Sequence, residues 1–171
     1  MEFKNIIRER YSCRKFDTNR AIEDEKLCAV LEAGRLAPTA KNVQEQHVYV
    51  VRSEEGLAKI DKSTRCRYGA PVCLVVTYNK ENVFVYPGGY LDSGAEDASI
   101  VATHMMLAAT DEGLCSCWLN AVDPDVLKKE LEIPGSEEFL MILDIGYPAE
   151  GAGPIERHFS RKELSETTSY I

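Results

Sequence analysis

The chain has 171 residues, of which 44% are hydrophobic and 28% charged, a composition that favours one soluble globular domain over a disordered chain. Its 28 acidic and 20 basic side chains give a net charge of −8, which disfavours binding to nucleic acids or to anionic membranes. Charges interrupt the first eleven residues and no apolar run is long enough to span a bilayer, so we expect a cytoplasmic protein without a targeting segment.

The first half of the chain is predicted to alternate helices with strands. Apolar residues at helical spacing predict a short N-terminal helix and a second helix over about residues 23–34. A strand is predicted over residues 48–51, and a short helix follows in EEGLAKIDK. The next segment, APVCLVVTY, is almost continuously apolar, which is typical of a strand covered on both faces.

The second half contains the longest predicted helix, SGAEDASIVATHMMLAATDEG, which ends at Gly113, a residue suited to a C-terminal cap. Apolar residues cover much of its circumference, so we expect it in the interior or at a subunit interface. An extended segment in CSCWLNAV precedes a helix opened by Asp123 and Pro124, and EEFLMILDIGYP predicts another strand. An extended tail is predicted from Gly151. Helices alternating with a few strands indicate an α+β or α/β domain spanning residues 1–171.

The six cysteines are interpreted as reduced and mostly buried thiols, because nothing suggests export. Cys28 falls in a helical pattern and Cys73 in a strand pattern, where a free cysteine behaves as a small apolar residue. An alternative is a thiol redox or metal-binding protein centred on Cys115 and Cys117. A closed zinc site, however, requires four ligands at recognisable spacing, and the remaining cysteines and the three histidines are scattered.

The segment RERYSCRKF places Arg10, Ser12 and Arg14 at alternating positions just past the first helix. Alternation in an extended chain points these side chains the same way. Two guanidinium groups and a hydroxyl converging on one spot form a receptor suited to a phosphate. The alternative interpretation is a solvated basic turn.

Two further stretches carry groups that suit a planar heterocycle. In RLAPTAKNVQEQ, Asn42 and Gln44 each offer a carbonyl acceptor and an amide donor. In GLCSCWLNAV, an extended backbone beside Trp118 could offer N–H groups to a ligand. The alternatives are turn residues that cap the preceding helix and an edge strand with an aromatic plug. A phosphate receptor together with a heterocycle receptor describes a site for flavin mononucleotide, FMN.

These segments resemble the nitroreductase-like family of FMN-dependent oxidoreductases, in its compact single-domain branch. The likeness runs through RYSCRKF, AVLEAGRLAPTAKNVQ, DASIVATHMMLAATDEGLCSCWL, MILDIGYP and RKELSE, in that order. The chain departs from common family residues at Glu45, Gln46, His104 and Asn120, and no Pro follows Lys162. The resemblance implies a three-layer α+β fold, with helices flanking a mostly antiparallel central sheet, and an intertwined homodimer with FMN at the subunit interface.

The resemblance also assigns eleven positions to cofactor binding, which are Arg10, Ser12, Arg14, Pro38, Thr39, Asn42, Gln44, Trp118, Leu119, Asn120 and Arg161. The first three would hold the phosphate and ribityl chain, with Arg161 as a further cation. The loop that begins at Pro38 would reach the flavin of the partner subunit, and its two amides would meet the ring system. Backbone groups at the end of CSCWLN would face the ring near its N5 atom.

The implied activity is hydride transfer from NAD(P)H through flavin N5 to a small electron-poor acceptor, such as a nitroaromatic or a quinone, in a ping-pong cycle. No metal ligand and no separate catalytic side chain is implied. Two alternatives share the same motifs. One is an FMN-binding protein without reductase turnover. The other is a different flavin reaction of the family, such as dehalogenation, flavin fragmentation or oxidation of a peptide heterocycle.

Overall fold

The computed structural model describes residues 2–171 and contains a four-stranded sheet with the order β1-β2-β4-β3. The strands are β1 (Gln46–Val51), β2 (Val72–Asn79), β3 (Cys115–Leu119) and β4 (Glu137–Gly146). Every neighbouring pair is antiparallel, which confirms the predicted kind of sheet. The two central strands, β2 and β4, are the two that the sequence shows as long apolar runs.

Helices cover both faces of this sheet. They are α1 (Phe3–Glu9), α2 (Asp24–Arg35), α3 (Glu54–Ser63), α4 (Gly94–Asp111), α5 (Pro124–Glu130) and α6 (Leu164–Thr167). Helices α2 and α4 pack together on one face, and α3 and α5 pack on the other. Side chains alternate along β2, so the strand contributes to the hydrophobic cores on both faces of the sheet. Leu74 and Val76 face the layer of α2 and α4, whereas Cys73 and Val75 face the layer of α3 and α5. The three-layer α+β prediction is confirmed.

The start of α5 and the end of α4 lie where the sequence predicts them. Asp123 Oδ1 accepts hydrogen bonds from the N–H groups of Asp125 and Val126, both at 3.1 Å, at the start of α5. Gly113 follows α4 with a φ of 73°, a left-handed conformation that suits glycine. The N–H of Leu114 then donates to the carbonyl of Ala109 at 2.8 Å.

Two expectations were wrong in part. Cys28 is exposed rather than buried, because Leu27 and Val30 occupy the inward face of α2. The tail is largely exposed but not uniformly extended, since it forms a 3-10 turn at Glu156–Phe159 and the short helix α6. Among residues 2–171, no helix has the length and apolar character needed to cross a membrane.

Candidate cofactor-binding site

A cavity of about 210 Å³ opens where the segment after α1 meets the C-terminal tail. The segment is fixed beside β3, because Ser12 forms a parallel bridge with Ser116 and the N–H of Cys13 donates to the Ser116 carbonyl at 2.8 Å. The cavity is lined by Arg10, Tyr11, Ser12, Arg14, Pro154, Ile155, Arg157, His158 and Arg161. The structure therefore brings four of the predicted site residues together, which are Arg10, Ser12, Arg14 and Arg161.

The lining of this cavity is strongly cationic. It includes four guanidinium groups and no carboxylate. Burial and the nearby charge of Arg161 lower the pKa of the Arg10 guanidinium. Because like charges are held close in a partly buried place, an anion with several acceptor oxygens would be stabilised there. We call these lining residues the arginine cavity.

Arg157 and His158 also line the arginine cavity, and sequence reasoning missed both. The tail has no helical or strand period that would fix the direction of their side chains. No local signal would have found Arg157, because its place depends on how the tail returns across the N-terminal segment. The Arg161 guanidinium also bonds within the tail, where it donates to the carbonyl of Ser160 at 2.7 Å and to that of His158.

The loop after α2 has an unusual backbone. Lys41, Asn42 and Gln44 have φ angles of 50°, 56° and 58°, in the left-handed region that residues other than glycine seldom occupy. The N–H of Gln44 donates to Thr39 Oγ1 at 3.1 Å, and the Gln44 side-chain amide donates to the carbonyl of Asn42 at 3.2 Å. Such strain persists only where the surroundings hold it, and it is concentrated at functional sites.

This loop, residues 38–44, is attached to neighbouring elements but does not line the arginine cavity of its own chain. The N–H of Ala40 donates to Asp97 Oδ1 in the first turn of α4, and Lys41 Nζ lies 4.4 Å from the centre of the Phe84 ring. Pro38, Asn42 and Gln44 are exposed. Within one chain, the arginine cavity and the loop that carries the amides of Asn42 and Gln44 are therefore separate.

The third predicted group lies at the end of β3. Leu119 is buried and pairs with Ile142, whereas Asn120 is exposed where the chain leaves the sheet. Trp118 Nε1 donates to Asn120 Oδ1 at 2.5 Å, which fixes the indole at this edge. These three residues do not line the arginine cavity, but the other end of the same strand holds the segment that does.

The Cys-Ser-Cys segment, considered above as a possible thiol or metal site, forms the start of β3. Cys115 and Cys117 point into the α3/α5 layer and are buried. Within the described range 2–171, no three side chains of His, Cys, Asp or Glu come together in an arrangement that could hold a metal ion.

Comparison with known proteins gives a family for this architecture. The sequence model of the nitroreductase family matches residues 7–68 and 67–147. A protein of Archaeoglobus fulgidus, provisionally named NADH dehydrogenase/NAD(P)H nitroreductase, is 29% identical over 153 residues, covering 86% of each chain. A protein of Methanothermobacter thermautotrophicus with the same provisional name is also 29% identical, over 163 residues, covering 90% of this chain and 81% of the relative.

Solved structures show the same architecture. A nitroreductase family protein from Clostridium difficile superposes with a TM-score of 0.92 at 38% identity, covering 99% of this chain and 98% of the other. A provisionally assigned nitroreductase from Exiguobacterium sibiricum, solved in complex with FMN, superposes with a TM-score of 0.88 over 100% of this chain and 98% of the other. At 19% identity, the second likeness shows the fold alone.

Proposed function

The chain belongs to the nitroreductase family, and we propose that it is an FMN-dependent NAD(P)H oxidoreductase that reduces a small electron-poor acceptor, such as a nitroaromatic or a quinone. The observation that carries the proposal is the arginine cavity, a phosphate receptor built on the segment that carries the family resemblance. Relatives named for NAD(P)H, and a structural neighbour in complex with FMN, support the choice of donor and cofactor. We take residues 1–171 as one FMN-binding domain in this proposal.

The residues of the cavity fit the phosphate end of FMN. Arg10, Arg14 and Arg161 would neutralise a dianion, and Ser12 would donate a hydrogen bond from its hydroxyl. Arg157 would add a further cation at the same place. The volume of about 210 Å³ is below the roughly 300–1,000 Å³ of typical ligand pockets, so one chain accommodates only part of the cofactor.

Other groups would position the ring system. Bound FMN supplies the redox chemistry, which is hydride transfer from NAD(P)H and onward to the acceptor in two half-reactions. The side chains of Asn42 and Gln44 would form hydrogen bonds with the polar edge of the ring, through their amide donors and carbonyl acceptors. Backbone groups at Trp118, Leu119 and Asn120 would contact the ring from the end of β3. No side chain of the protein is assigned a separate catalytic role in this proposal.

We further propose that the site is completed in a homodimer, with the loop from Pro38 and Thr39 reaching the flavin held by the partner subunit. The separation of this loop from the arginine cavity supports that arrangement, because one chain alone does not assemble both halves. Exposed apolar side chains in the tail give further support, and they are Ile155, Phe159, Leu164, Tyr170 and Ile171. We also expect a cytoplasmic location, where the nicotinamide nucleotide donor would be supplied.

The visible spectrum of the purified protein tests the proposal. Protein made in flavin-replete cells should be yellow and should release FMN on denaturation. Anaerobic titration with NADH and with NADPH should then bleach the flavin band, and the donor that bleaches it faster is the preferred one. A colourless protein that also fails to take up added FMN would overturn the proposal. Bound FMN that neither donor reduces would indicate a binding protein without reductase turnover.

A further inference from the structure

The connection between β2 and α4 forms a small β-hairpin that lies outside both hydrophobic cores. Val85 and Asp92 form its antiparallel bridge, and backbone hydrogen bonds of 3.0 Å and 2.9 Å flank that bridge on either side. Gly88 and Gly89 form the tip, with φ angles of 102° and 73°, left-handed values that suit glycine. We call residues 84–93 the hairpin.

The tip of the hairpin exposes apolar side chains. Tyr90 is 81% exposed, and Leu91 and Val85 are each more than half exposed. The Tyr90 ring lies over Gly88, where an added Cβ atom would stand 2.9 Å from it. A ring that is already held against the backbone loses little freedom when a second planar group packs on it. Exposed apolar side chains gathered at one place commonly mark a binding surface.

The hairpin is joined at two points to the loop that follows α2. Lys41 Nζ of the loop lies 4.4 Å from the centre of the Phe84 ring, in a cation–π contact. Asp97, in the first turn of α4, accepts at Oδ1 from the N–H of Ala40 at 2.8 Å and at Oδ2 from the Ser93 hydroxyl at 2.7 Å. One carboxylate therefore holds both the loop and the base of the hairpin, and the two segments lie side by side.

Hydrogen bonds also fix the base of the hairpin on α4. The Tyr86 hydroxyl donates to a carboxylate oxygen of Glu96, and the N–H of Gly94 donates to Asp92 Oδ1 at 2.9 Å. Helix α4 therefore sets the direction in which the hairpin projects. The exposed part that remains for a ligand is the tip, where Tyr90 is the largest side chain.

We propose that Tyr90 is a specificity-determining residue that packs on the face of a planar aromatic acceptor bound at the flavin. This assignment rests on the proposed function, in which the loop beside the hairpin forms hydrogen bonds with the flavin ring system. Because the hairpin is joined to that loop, it is carried to the same place. The stacking energy of an aromatic pair corresponds to a change in affinity of up to about tenfold.

A contact of this kind favours aromatic acceptors over other oxidants. A quinone or a nitroaromatic has two apolar faces, so it can pack on the flavin ring with one and on Tyr90 with the other. Hexacyanoferrate(III) is a strongly hydrated anion without such a face, and it gains nothing from the Tyr90 ring. Tyr90 would therefore determine which acceptor is preferred rather than whether reduction takes place.

Binding of a quinone to the oxidised holoprotein tests this role without turnover. The probe is tetramethylbenzoquinone, whose fully substituted ring resists addition of thiols such as the exposed Cys28. Isothermal titration calorimetry should give a dissociation constant that is about tenfold higher in Tyr90→Ala than in wild type. Tyr90→Phe keeps the ring and should bind as wild type does. Val85→Ala is the matched control, because it removes exposed apolar surface from the same hairpin without removing a ring.

Turnover provides a second measurement at equal FMN occupancy. In Tyr90→Ala, the ratio of kcat/KM for the quinone to kcat/KM for hexacyanoferrate(III) should fall about tenfold, mainly through a higher KM for the quinone. Circular dichroism checks that each variant is folded. Tyr90→Leu keeps apolar bulk without a ring, and it gives the same answer if Tyr90→Ala does not fold.

Three results would overturn the proposal. The first is quinone binding by Tyr90→Ala that equals wild type, and the second is an equal loss in Val85→Ala. The third is dissociation of a dimer in Tyr90→Ala, seen by sedimentation velocity, which would assign the tip to a subunit interface. A wild-type protein that binds no FMN would contradict the proposed function and this assignment together. A holoprotein that NAD(P)H reduces, but whose quinone binding does not depend on Tyr90, would contradict this assignment alone.

Discussion

The thiol of Cys73 donates a hydrogen bond to Asp144 Oδ1 at 3.1 Å in the centre of the sheet, where both side chains are fully buried. Asp144 lies on β4 between Cys73 of β2 and Cys117 of β3, its register partners on either side. Burial raises the pKa of Asp144 to about 8, because the ionised form would lose its hydration without gaining a matching partner. The carboxyl group is therefore largely protonated near neutral pH.

This protonation predicts a pH dependence of stability. The folded protein keeps the Asp144 proton up to about pH 8, whereas the unfolded chain releases it near pH 4, so the unfolded state binds fewer protons between these values. The free energy of unfolding should fall as the pH rises through this window, by up to about 1.4 kcal/mol per pH unit. Asp144→Asn should remove that slope. Urea unfolding of both proteins from pH 4 to 8 measures the difference, and parallel curves would refute a protonated Asp144.

The sequence was informative about Asp144 only in part. The run EEFLMILDIGYP predicts strand β4 because its apolar residues outnumber the polar ones. The pattern does not reveal that the acid within this run lies between two cysteines, since those come from strands about 70 and 27 residues earlier in the chain. Local periodicity therefore predicted the elements, whereas the strand order determined which polar groups meet in the core.

Asp97 holds the loop of residues 38–44 against α4. Its Oδ1 accepts from the N–H of Ala40 at 2.8 Å, and its Oδ2 accepts from the Ser93 hydroxyl at 2.7 Å. Asp97→Ala would leave the Ala40 N–H and the Ser93 hydroxyl without this acceptor, so we expect the free energy of unfolding to fall by about 1–3 kcal/mol. Asp97→Asn, which retains one carboxamide oxygen, should lose less.

The loop variants also test the proposed site. Because the hydrogen bond between Ala40 and Asp97 attaches the loop of residues 38–44 to α4, Asp97→Ala should weaken FMN binding as well as folding. Chemical denaturation and fluorimetric FMN titration of both variants provide the two measurements. If Asp97→Ala binds FMN as tightly as wild type while stability falls, the loop has no part in the cofactor site.

The arginine cavity shows what sequence could and could not predict about the site. Alternation in RERYSCRKF placed Arg10, Ser12 and Arg14 on one side of an extended segment, and the structure brings all three to one cavity. Arg157 comes from a tail without a period, so its place depends on how the chain returns across the N-terminal segment. Its role as a phosphate ligand is a prediction that the structure adds.

Arg14→Ala is predicted to weaken FMN binding by about 1.5–3 kcal/mol, because a charge-assisted hydrogen bond to the phosphate is exchanged for water. Arg161→Ala and Arg157→Ala should act in the same direction but less strongly, since both guanidiniums lie on the tail rather than on the segment that is hydrogen-bonded to β3. Arg8→Ala is the matched control, as Arg8 is exposed on α1 and does not line the cavity. Equilibrium titration with FMN gives each dissociation constant. A value for Arg14→Ala equal to that of the control would exclude Arg14 from the site.

Helix α4 exposes less apolar surface for the proposed dimer than its composition suggests. Among the apolar residues of α4, Val101 and Met105 are buried in the core of their own chain. Ile100, Met106 and Leu107 remain half-buried and available for an interface. The larger unburied apolar surface is in the tail, where Phe159 and Leu164 are each 71% exposed.

We predict an obligate homodimer in which the tail packs on the partner subunit, because isolated chains would leave these side chains in water. Sedimentation velocity should give a dimer, and dilution should release FMN together with the partner, since each site borrows the loop at Pro38 and Thr39. The double variant Phe159→Ser, Leu164→Ser should shift the equilibrium toward monomer, whereas Val50→Ser, a comparable change on β1, should not. A stable monomer that retains FMN at full occupancy would contradict both the dimer and the shared site.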